Sequence, residues 1–419
     1  MTIQNAPPHG FIFEISPVRG HVASYLKVLI SQWNRPNSAE KLTILTLPTL
    51  AEKHPELITL AKWHGVNLIH LTDDEFQTKI NRERTLPAVS TDTRRPTNAA
   101  LLYDWQLLTQ YVASLGATHC FIPRINNYLL FIAHNTDCPA PLSGIYFGPV
   151  IHETNSGNQK LRIKQVHERF LLSRSAEHPK LTALFMLNPA AVNFAKWLPR
   201  SNKIHALRDP ATLAIPINKP PIDIRQRHHI SADSKLALLL GDLSPRKGVL
   251  EFLAAVKTLS VEETADLTIL LVGTIRSRFK RQVEEAITRL QTRLTCSVVL
   301  YAHYIPEHEL YTYFDSADLI LMPYINHTDS SGILLQAAAA QTPVLAAQQG
   351  LVGELVEQFT LGSTVNPRDS AEVASTLAQW LRNSSTIPFS AERAAQLVAR
   401  HHPSHFANAI FEQLLTPPS

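Results

Sequence analysis

The chain has 419 residues, of which 45% are hydrophobic and 18% are charged. This composition supports a globular core and excludes general disorder, and the length corresponds to about two domains. The formal net charge is only +4. Proteins that follow nucleic-acid phosphates concentrate Lys and Arg on one surface, so we expect no nucleic acid among the partners.

Cysteine usage and hydropathy point to a cytoplasmic protein. Cys120, Cys138 and Cys296 are odd in number and form no CxxC pair, so no disulfide framework is expected. No export signal and no apolar run of about 18 residues is visible, which argues against a transmembrane helix and a two-lobed solute-binding protein. A peripheral contact at the inner face of a membrane remains compatible with the sequence.

The first half alternates strand and helix patterns. In chain order they are a strand at 10–16, a helix at 21–33, strands at 41–47 and 66–71, a helix at 98–116 that Gly116 ends, and strands at 118–123 and 182–187. The acidic run "LTDDEF" (71–76) resembles a metal-binding carboxylate pair, but it is more typical of a helix N-terminus, where acids are favoured.

The proline-rich segment 208–229 disfavours regular structure and is interpreted as an interdomain linker. The alternation then resumes with strands at 235–241, 266–273, 297–302, 319–324 and 344–346, helices at 246–260, 276–294, 306–317, 332–340 and 370–383, and terminal helices. This order predicts two α/β domains with mostly parallel, doubly wound, Rossmann-like sheets that face each other. Ligands of such sheets bind at the carboxyl ends of the strands, so we expect the site in the central cleft.

Two helix starts in the second half are candidate anion sites. Arg246 and Lys247 fall in the first turn of the helix that follows the strand at 235–241. Cations oppose the helix dipole there, which makes sense if a phosphate lies between them and the free N–H groups. A solvated basic turn is the alternative.

The second start, "TDSSGILLQ" (328–336), offers Ser330 and Ser331 as N-cap residues and Gly332 for close backbone approach. Gln336 lies four residues after Gly332 and therefore on the same helix face. The side chain and the exposed N–H groups can address one ligand, although an ordinary capped helix with a solvated Gln336 fits equally.

Near the N-terminus, Gly20 and His21 follow the first predicted strand. His21 would face the cleft as a proton acceptor, or else cap the helix. The basic run "RSRFKRQ" (276–282) is compatible with contact to anionic lipid or phosphate, but also with a solvated face.

The serial order of "LLLGDLSPRKGVLEFLAAV", "LTILLVG", "YIPEHEL" and "SSGILLQAAAAQTPVL" resembles the donor-binding domain of GT-B glycosyltransferases of the retaining, nucleotide-sugar-dependent family four. The resemblance covers about a third of the chain. It implies an acceptor-side domain at 1–207, a linker at 208–229, a nucleotide-sugar-binding domain at 230–388, and terminal helices at 389–419 that cross back to the first domain.

Residue by residue, Lys247 matches the lysine that contacts the donor diphosphate. The arginine expected five residues earlier is Asp242 here, and Arg246 supplies a charge from another position. The backbone of Tyr304 and Ile305 would meet the nucleobase. Of the two glutamates of the family's Glu-x7-Glu motif, the second aligns with Gln336, which can still hold the ribose.

The first glutamate of that motif aligns with Thr328, and we take the neighbouring Asp329 as the substitute for this glutamate. Asp329 and His21 are therefore the predicted catalytic residues. The resemblance implies transfer of a sugar from a nucleotide-diphospho-sugar, a co-substrate rather than a cofactor. The acceptor is a glycan, a lipid or a small molecule, the anomeric configuration is retained, and no metal is obligatory. Because both glutamates are replaced, a non-catalytic relative that binds a nucleotide or glycan is the alternative.

Overall fold

The structure is a computed structural model that describes residues 7–16, 22–34, 39–84, 98–134, 136–153, 159–212 and 222–416. The chain divides into two compact units. The first contains Met1–Arg208 and Pro403–Ser419, and the second contains Asp209–His402.

The first unit is an α/β layer structure around one parallel sheet. Its strands are β1 (His9–Glu14), β2 (Lys41–Thr46), β3 (Asn67–His70), β4 (His119–Ile122), β5 (Leu142–Ile145), β6 (Leu181–Met186) and β7 (Ile204–Ala206). Its helices are α1 (Val22–Gln32), α2 (Pro48–Lys53), α3 (Pro55–Trp63), α4 (Asp73–Arg84), α5 (Asn98–Leu115), α6 (Leu129–Ala133), α7 (Gln159–Glu177) and α8 (Pro189–Ala195). Among the described residues the strand order is β3-β2-β1-β4-β5-β6-β7.

The second unit repeats this plan. It begins with the short helix α9 (Ile224–Arg227), and its strands are β8 (Lys235–Leu240), β9 (Leu267–Val272), β10 (Ser297–Tyr301), β11 (Leu319–Met322), β12 (Val344–Ala347) and β13 (Gly362–Val365). Its other helices are α10 (Val249–Val256), α11 (Ser277–Gln291), α12 (Glu307–Ser316), α13 (Gly332–Ala339), α14 (Gly350–Phe359), α15 (Ser370–Arg382) and α16 (Ala391–Arg400). The described strands are parallel in the order β10-β9-β8-β11-β12-β13.

The central strands are apolar throughout because helices cover both faces of each sheet. In β1, Phe11, Ile12 and Phe13 are all at most 1% exposed. The predicted fold class, two doubly wound Rossmann-like α/β units, is confirmed.

The last helix, α17 (Pro403–Leu415), belongs to the first unit, where a Cβ on Gly10 of β1 would lie 3.3 Å from the Cβ of Leu414. The preceding helix α16 belongs to the second unit and buries Ala394 and Leu397 in its core. Within the predicted terminal segment 389–419, α17 thus falls in the first unit and α16 in the second.

The predicted linker at 208–229 is only partly described, since 213–221 lies outside the described residues. Its last part is not a linker, because α9 is capped by Asp223 and buries Ile224 completely in the second unit. The acidic run at 71–76 is a helix start, as interpreted. The Thr72 amide donates to Glu75 Oε2 at 2.9 Å and the Glu75 amide donates back to Thr72 Oγ1 at 3.3 Å, which is a capping box.

In the part of the chain that the structure describes, no helix combines the length and apolar character needed to span a bilayer.

Candidate functional site

In the second sheet, the order in which the chain adds strands reverses between β8 and β11. These strands are neighbours, with Leu319 opposite Ala237, although β9 and β10 separate them along the chain. Parallel α/β sheets bind ligands outside the carboxyl ends of strands at such a topological switch point. The loops that leave β8 and β11 contain the two predicted helix starts, and they touch: the Ile325 amide donates to the Arg246 carbonyl at 2.8 Å.

Lys247 lies at the centre of this junction, but not in the first turn of an α-helix as predicted. It ends a 3-10 turn, Pro245–Lys247, and α10 begins only at Val249. Gly248 separates the two with a φ of +68°, and a Cβ there would lie 1.8 Å from the Pro323 carbonyl oxygen. The close approach of the two loops thus interrupts the helix and requires glycine.

The Lys247 side chain is 5% exposed and turns toward the second loop. Its Nζ donates to the Tyr324 hydroxyl at 2.7 Å and lies 4.2 Å from the centre of that ring. The same hydroxyl lies 3.4 Å from Ser331 Oγ. Lys247, Tyr324 and Ser331 therefore form a continuous polar chain between the two helix starts.

Arg246 contacts a residue that the sequence analysis missed. Its Nη1 donates to His327 Nδ1 at 3.1 Å. Burial, followed by the positive charges of Arg246 and Lys247, lowers the pKa of His327 to about 3. His327 is therefore neutral, and because Nδ1 accepts, Nε2 carries the hydrogen. Nε2 is buried and has no hydrogen-bond partner among the described residues.

Helix α13 begins at Gly332 with Ser331 at the N-cap position, as predicted. Neither serine caps it with its side chain: Ser331 makes no such bond, and the Ser330 hydroxyl donates to Asp209 Oδ2 at 3.0 Å. The Leu334 and Leu335 amides already donate to the Ser331 carbonyl, so the amides of Gly332 and Ile333 are the ones at the start of α13 that can meet another acceptor. Gln336, one turn further on, keeps Oε1 buried, and no described residue forms a hydrogen bond with this atom.

A cavity of about 120 Å³ opens beside this junction, and Tyr324, His327, Gln349 and Arg368 are among its lining residues. Asp329 is partly buried in the loop that precedes α13. The junction thus brings together Arg246, Lys247, Ser331 and, through its loop, Asp329.

The remaining predicted residues lie elsewhere or outside the description. Tyr304 is 64% exposed and Ile305 is 7% exposed, both after the edge strand β10. Asp242 accepts from Thr274 Oγ1 at 3.1 Å instead of addressing the junction. Gly20 and His21 lie outside the described residues.

The first unit has a matching switch point between β1 and β4, and a cavity of about 350 Å³ lies there. Glu14, the last residue of β1, is 3% exposed and lines it; its Oε2 has no hydrogen-bond partner among the described residues. Burial raises the pKa of Glu14, which the charge of Arg124 opposes. Tyr25 and Phe147 form a stacked aromatic wall, with ring centres 6.2 Å apart.

The sequence signal for Glu14 was a single acid in the apolar run "FIFEI". Among the described residues no group of three or more His, Cys, Asp or Glu side chains is arranged to hold a metal ion.

Two doubly wound parallel units, with polar junctions at both switch points, form the fold class that the resemblance to GT-B proteins implied. Two solved structures share this fold over the whole chain. Alr3699/HepE of Anabaena, solved with UDP and glucose, is 14% identical with a TM-score of 0.67, covering 97% of this chain and 99% of its own. Sucrose-phosphate synthase of Thermosynechococcus elongatus is 14% identical with a TM-score of 0.70, covering 97% and 98%.

Residues 222–398, nearly the whole second unit, match the family of glycosyl transferases group 1. The D-inositol 3-phosphate glycosyltransferase of Frankia alni is 32% identical over 167 residues, which is 39% of this chain and 40% of that protein. The chain thus matches less than half of the length of this curated relative.

Proposed function

We propose that the protein transfers a sugar from a nucleotide-diphospho-sugar to a hydroxyl-bearing acceptor. The observation that carries this proposal is the junction of the β8 and β11 loops. Lys247, Tyr324 and Ser331 form one polar chain there. The family match of residues 222–398 and the solved complexes of Anabaena Alr3699/HepE with UDP and UDP-glucose support a nucleotide sugar as the donor.

The diphosphate would bind to Lys247, Arg246 and the exposed amides at the start of α13. A phosphate oxygen would take the place of the Tyr324 hydroxyl on Lys247 Nζ, and His327 Nε2–H would donate to a second oxygen. These cations and dipoles would stabilise the charge that develops on the leaving diphosphate, so no metal ion is required. Retention of the anomeric configuration follows from the resemblance to family four.

The nucleoside would be held beside the diphosphate. Gln336 offers a buried acceptor, Oε1, to a ribose hydroxyl. An amide accepts a weaker hydrogen bond than a carboxylate, by roughly a factor of two. The backbone of Tyr304 and Ile305 would meet the base, and Asp329 would stand near the transferred sugar.

The acceptor would enter the first-unit cavity. The carboxyl of Glu14 provides hydrogen-bonding capacity there, and the stacked rings of Tyr25 and Phe147 offer an apolar wall to a sugar-like ring. Gly20 and His21 follow β1 along the chain, and His21 would act near the acceptor hydroxyl. A glycan, a lipid-linked sugar or a small polyol satisfies these contacts.

The test is a panel of nucleotide-diphospho-sugars with polyol, glycan and glycolipid acceptors, with release of the nucleoside diphosphate as the readout. Transfer that persists in EDTA and disappears in Lys247→Ala supports the proposal. Tight donor binding without turnover across the panel refutes it and favours the non-catalytic binding module that the replaced glutamates allow. Loss of transfer in EDTA would refute metal independence alone.

A further inference from the structure

Helix α7 exposes a line of apolar side chains. Ile163 is 64% exposed, Val166 is 67% exposed and Phe170 is 53% exposed. Their spacing of three and four residues places them on one helix face. The opposite face packs into the unit, where Glu168 is 4% and Leu172 is 0% exposed. The exposed line is therefore a second apolar face, not an extension of the core.

Cations border this line on both sides. At about 100° per residue, Lys160 and Lys164 fall on one side of it and Arg162 and Arg169 on the other. All four are exposed.

The acids of α7 make their hydrogen bonds to groups other than these four cations. Glu168 is buried and accepts from the Val150 amide at 2.9 Å, while Glu177 accepts from Arg174 at 2.6 Å.

The surface continues onto α8. The guanidinium carbon of Arg169 lies 4.9 Å from the centre of the Phe194 ring, so the end of α8 contacts α7 on the Arg169 side of the apolar line. Trp197, just after α8, is 88% exposed, and its neighbour Lys196 is exposed too. Tryptophan with Lys and Arg is the combination that sits at membrane interfaces, because the ring prefers the headgroup boundary and long cations reach the phosphates.

We propose that Ile163, Val166, Phe170 and Trp197, with their bordering cations, form a docking surface for an anionic lipid bilayer. The apolar side chains would enter the headgroup boundary while the cations contact lipid phosphates. The positive charge of this surface favours an anionic membrane over a second copy of this chain as the partner, because the basic surfaces of two copies would repel each other.

The other basic helix lacks half of this pattern. On α11, Arg278 and Arg281 are exposed, but Phe279 and Val283 are buried. That helix therefore offers charge without an apolar face, which makes it the matched control.

The experiment is co-sedimentation of the full chain with vesicles of phosphatidylcholine alone, or with about 30% phosphatidylglycerol, at low and high salt. We expect binding to the anionic vesicles only. Ile163→Gln with Phe170→Gln should weaken it about tenfold or more. Arg162→Gln with Lys164→Gln should weaken it by about fivefold per charge at low salt.

Arg278→Gln with Arg281→Gln removes the same charge from α11 and should change binding less than about twofold, because those cations stay outside the proposed contact. All substituted side chains are exposed, so melting temperatures should agree with the wild type. No sugar donor is present, so failure here leaves the proposed transfer intact.

Equal binding by the α7 and α11 variants would overturn the proposal. The proposal would also be overturned if the variant with Ile163→Gln and Phe170→Gln bound anionic vesicles as strongly as the wild type does. If sedimentation velocity shows a dimer that the apolar variant dissociates, and vesicles bind neither protein, the surface is an interface between copies instead.

Discussion

Replacing Lys247 with Met tests the diphosphate site directly. Methionine keeps most of the side-chain volume but removes the ammonium that lies 2.7 Å from the Tyr324 hydroxyl. A hydrogen bond from a charged donor contributes about 1.5–3 kcal/mol, so affinity for a nucleoside diphosphate should fall about 10- to 150-fold. The Tyr324 hydroxyl loses the hydrogen bond from the ammonium, but the cost of burying that charge disappears with it. The free energy of unfolding should therefore change by only about 1 kcal/mol.

The control is Lys235→Met at the amino end of β8. Its Nζ donates to the carbonyls of Trp380 and Leu381 at 3.0 and 2.7 Å, away from the proposed site. This variant should lose stability and keep nucleotide affinity. The assay is isothermal titration with UDP, ADP and GDP, together with urea unfolding. Equal affinities for wild type and Lys247→Met, or an equal loss in Lys235→Met, would refute the assignment of Lys247 to the diphosphate.

Three further outcomes are expected. Gln336→Glu should bind the nucleotide sugar about two- to fivefold more tightly in titrations, because a carboxylate accepts a stronger hydrogen bond from the ribose; weaker binding would exclude Gln336 from the ribose contact. Gly248→Ala should cost about 3 kcal/mol or more in urea unfolding, since its Cβ would meet the Pro323 carbonyl, whereas Gly116→Ala, with a φ of +59° and nothing within 4 Å, should cost about 1 kcal/mol; similar losses would contradict the close contact. Burial lowers the pKa of His119 to about 4. The unfolded state therefore takes up the proton first as pH falls below about 6.5. His119 alone should lower the free energy of unfolding by about 1.4 kcal/mol per pH unit down to about pH 4, and His119→Asn should remove that contribution from the measured slope.

The alternation of strands and helices was readable from the sequence because each element carries its own periodicity. The helix at 98–116 is observed at Asn98–Leu115 and ends at Gly116, whose positive φ only glycine adopts easily. Helix α7 was missed because its apolar residues occupy two opposite faces, one buried and one exposed, so no single stripe appears. The three-residue strand β7 is too short to show any period.

The site was predictable in outline only. Local sequence placed Lys247 and Ser331 at helix starts, but it did not show that Tyr324 joins them. The burial of Lys247 depends on a contact between residues 77 positions apart. His327 gave no signal, since its lowered pKa arises first from burial in the folded unit and then from Arg246 and Lys247, which the fold brings to it from another loop.

The switch points of the two units share one topology but carry hydrogen-bonding groups of opposite polarity. In the second unit the switch point carries Arg246, Lys247 and a neutral His327, all donors, as an anionic diphosphate requires. In the first unit the equivalent position carries Glu14, an acceptor for hydroxyl groups. A buried polar atom without a hydrogen bond costs about 1–3 kcal/mol. His327 Nε2 and Glu14 Oε2 therefore each lower the free energy of unfolding of the ligand-free protein. A ligand that satisfies each atom would recover that cost on binding, and the opposite polarity of the two atoms supports the proposed placement of the sugar donor in the second unit and of the sugar acceptor in the first.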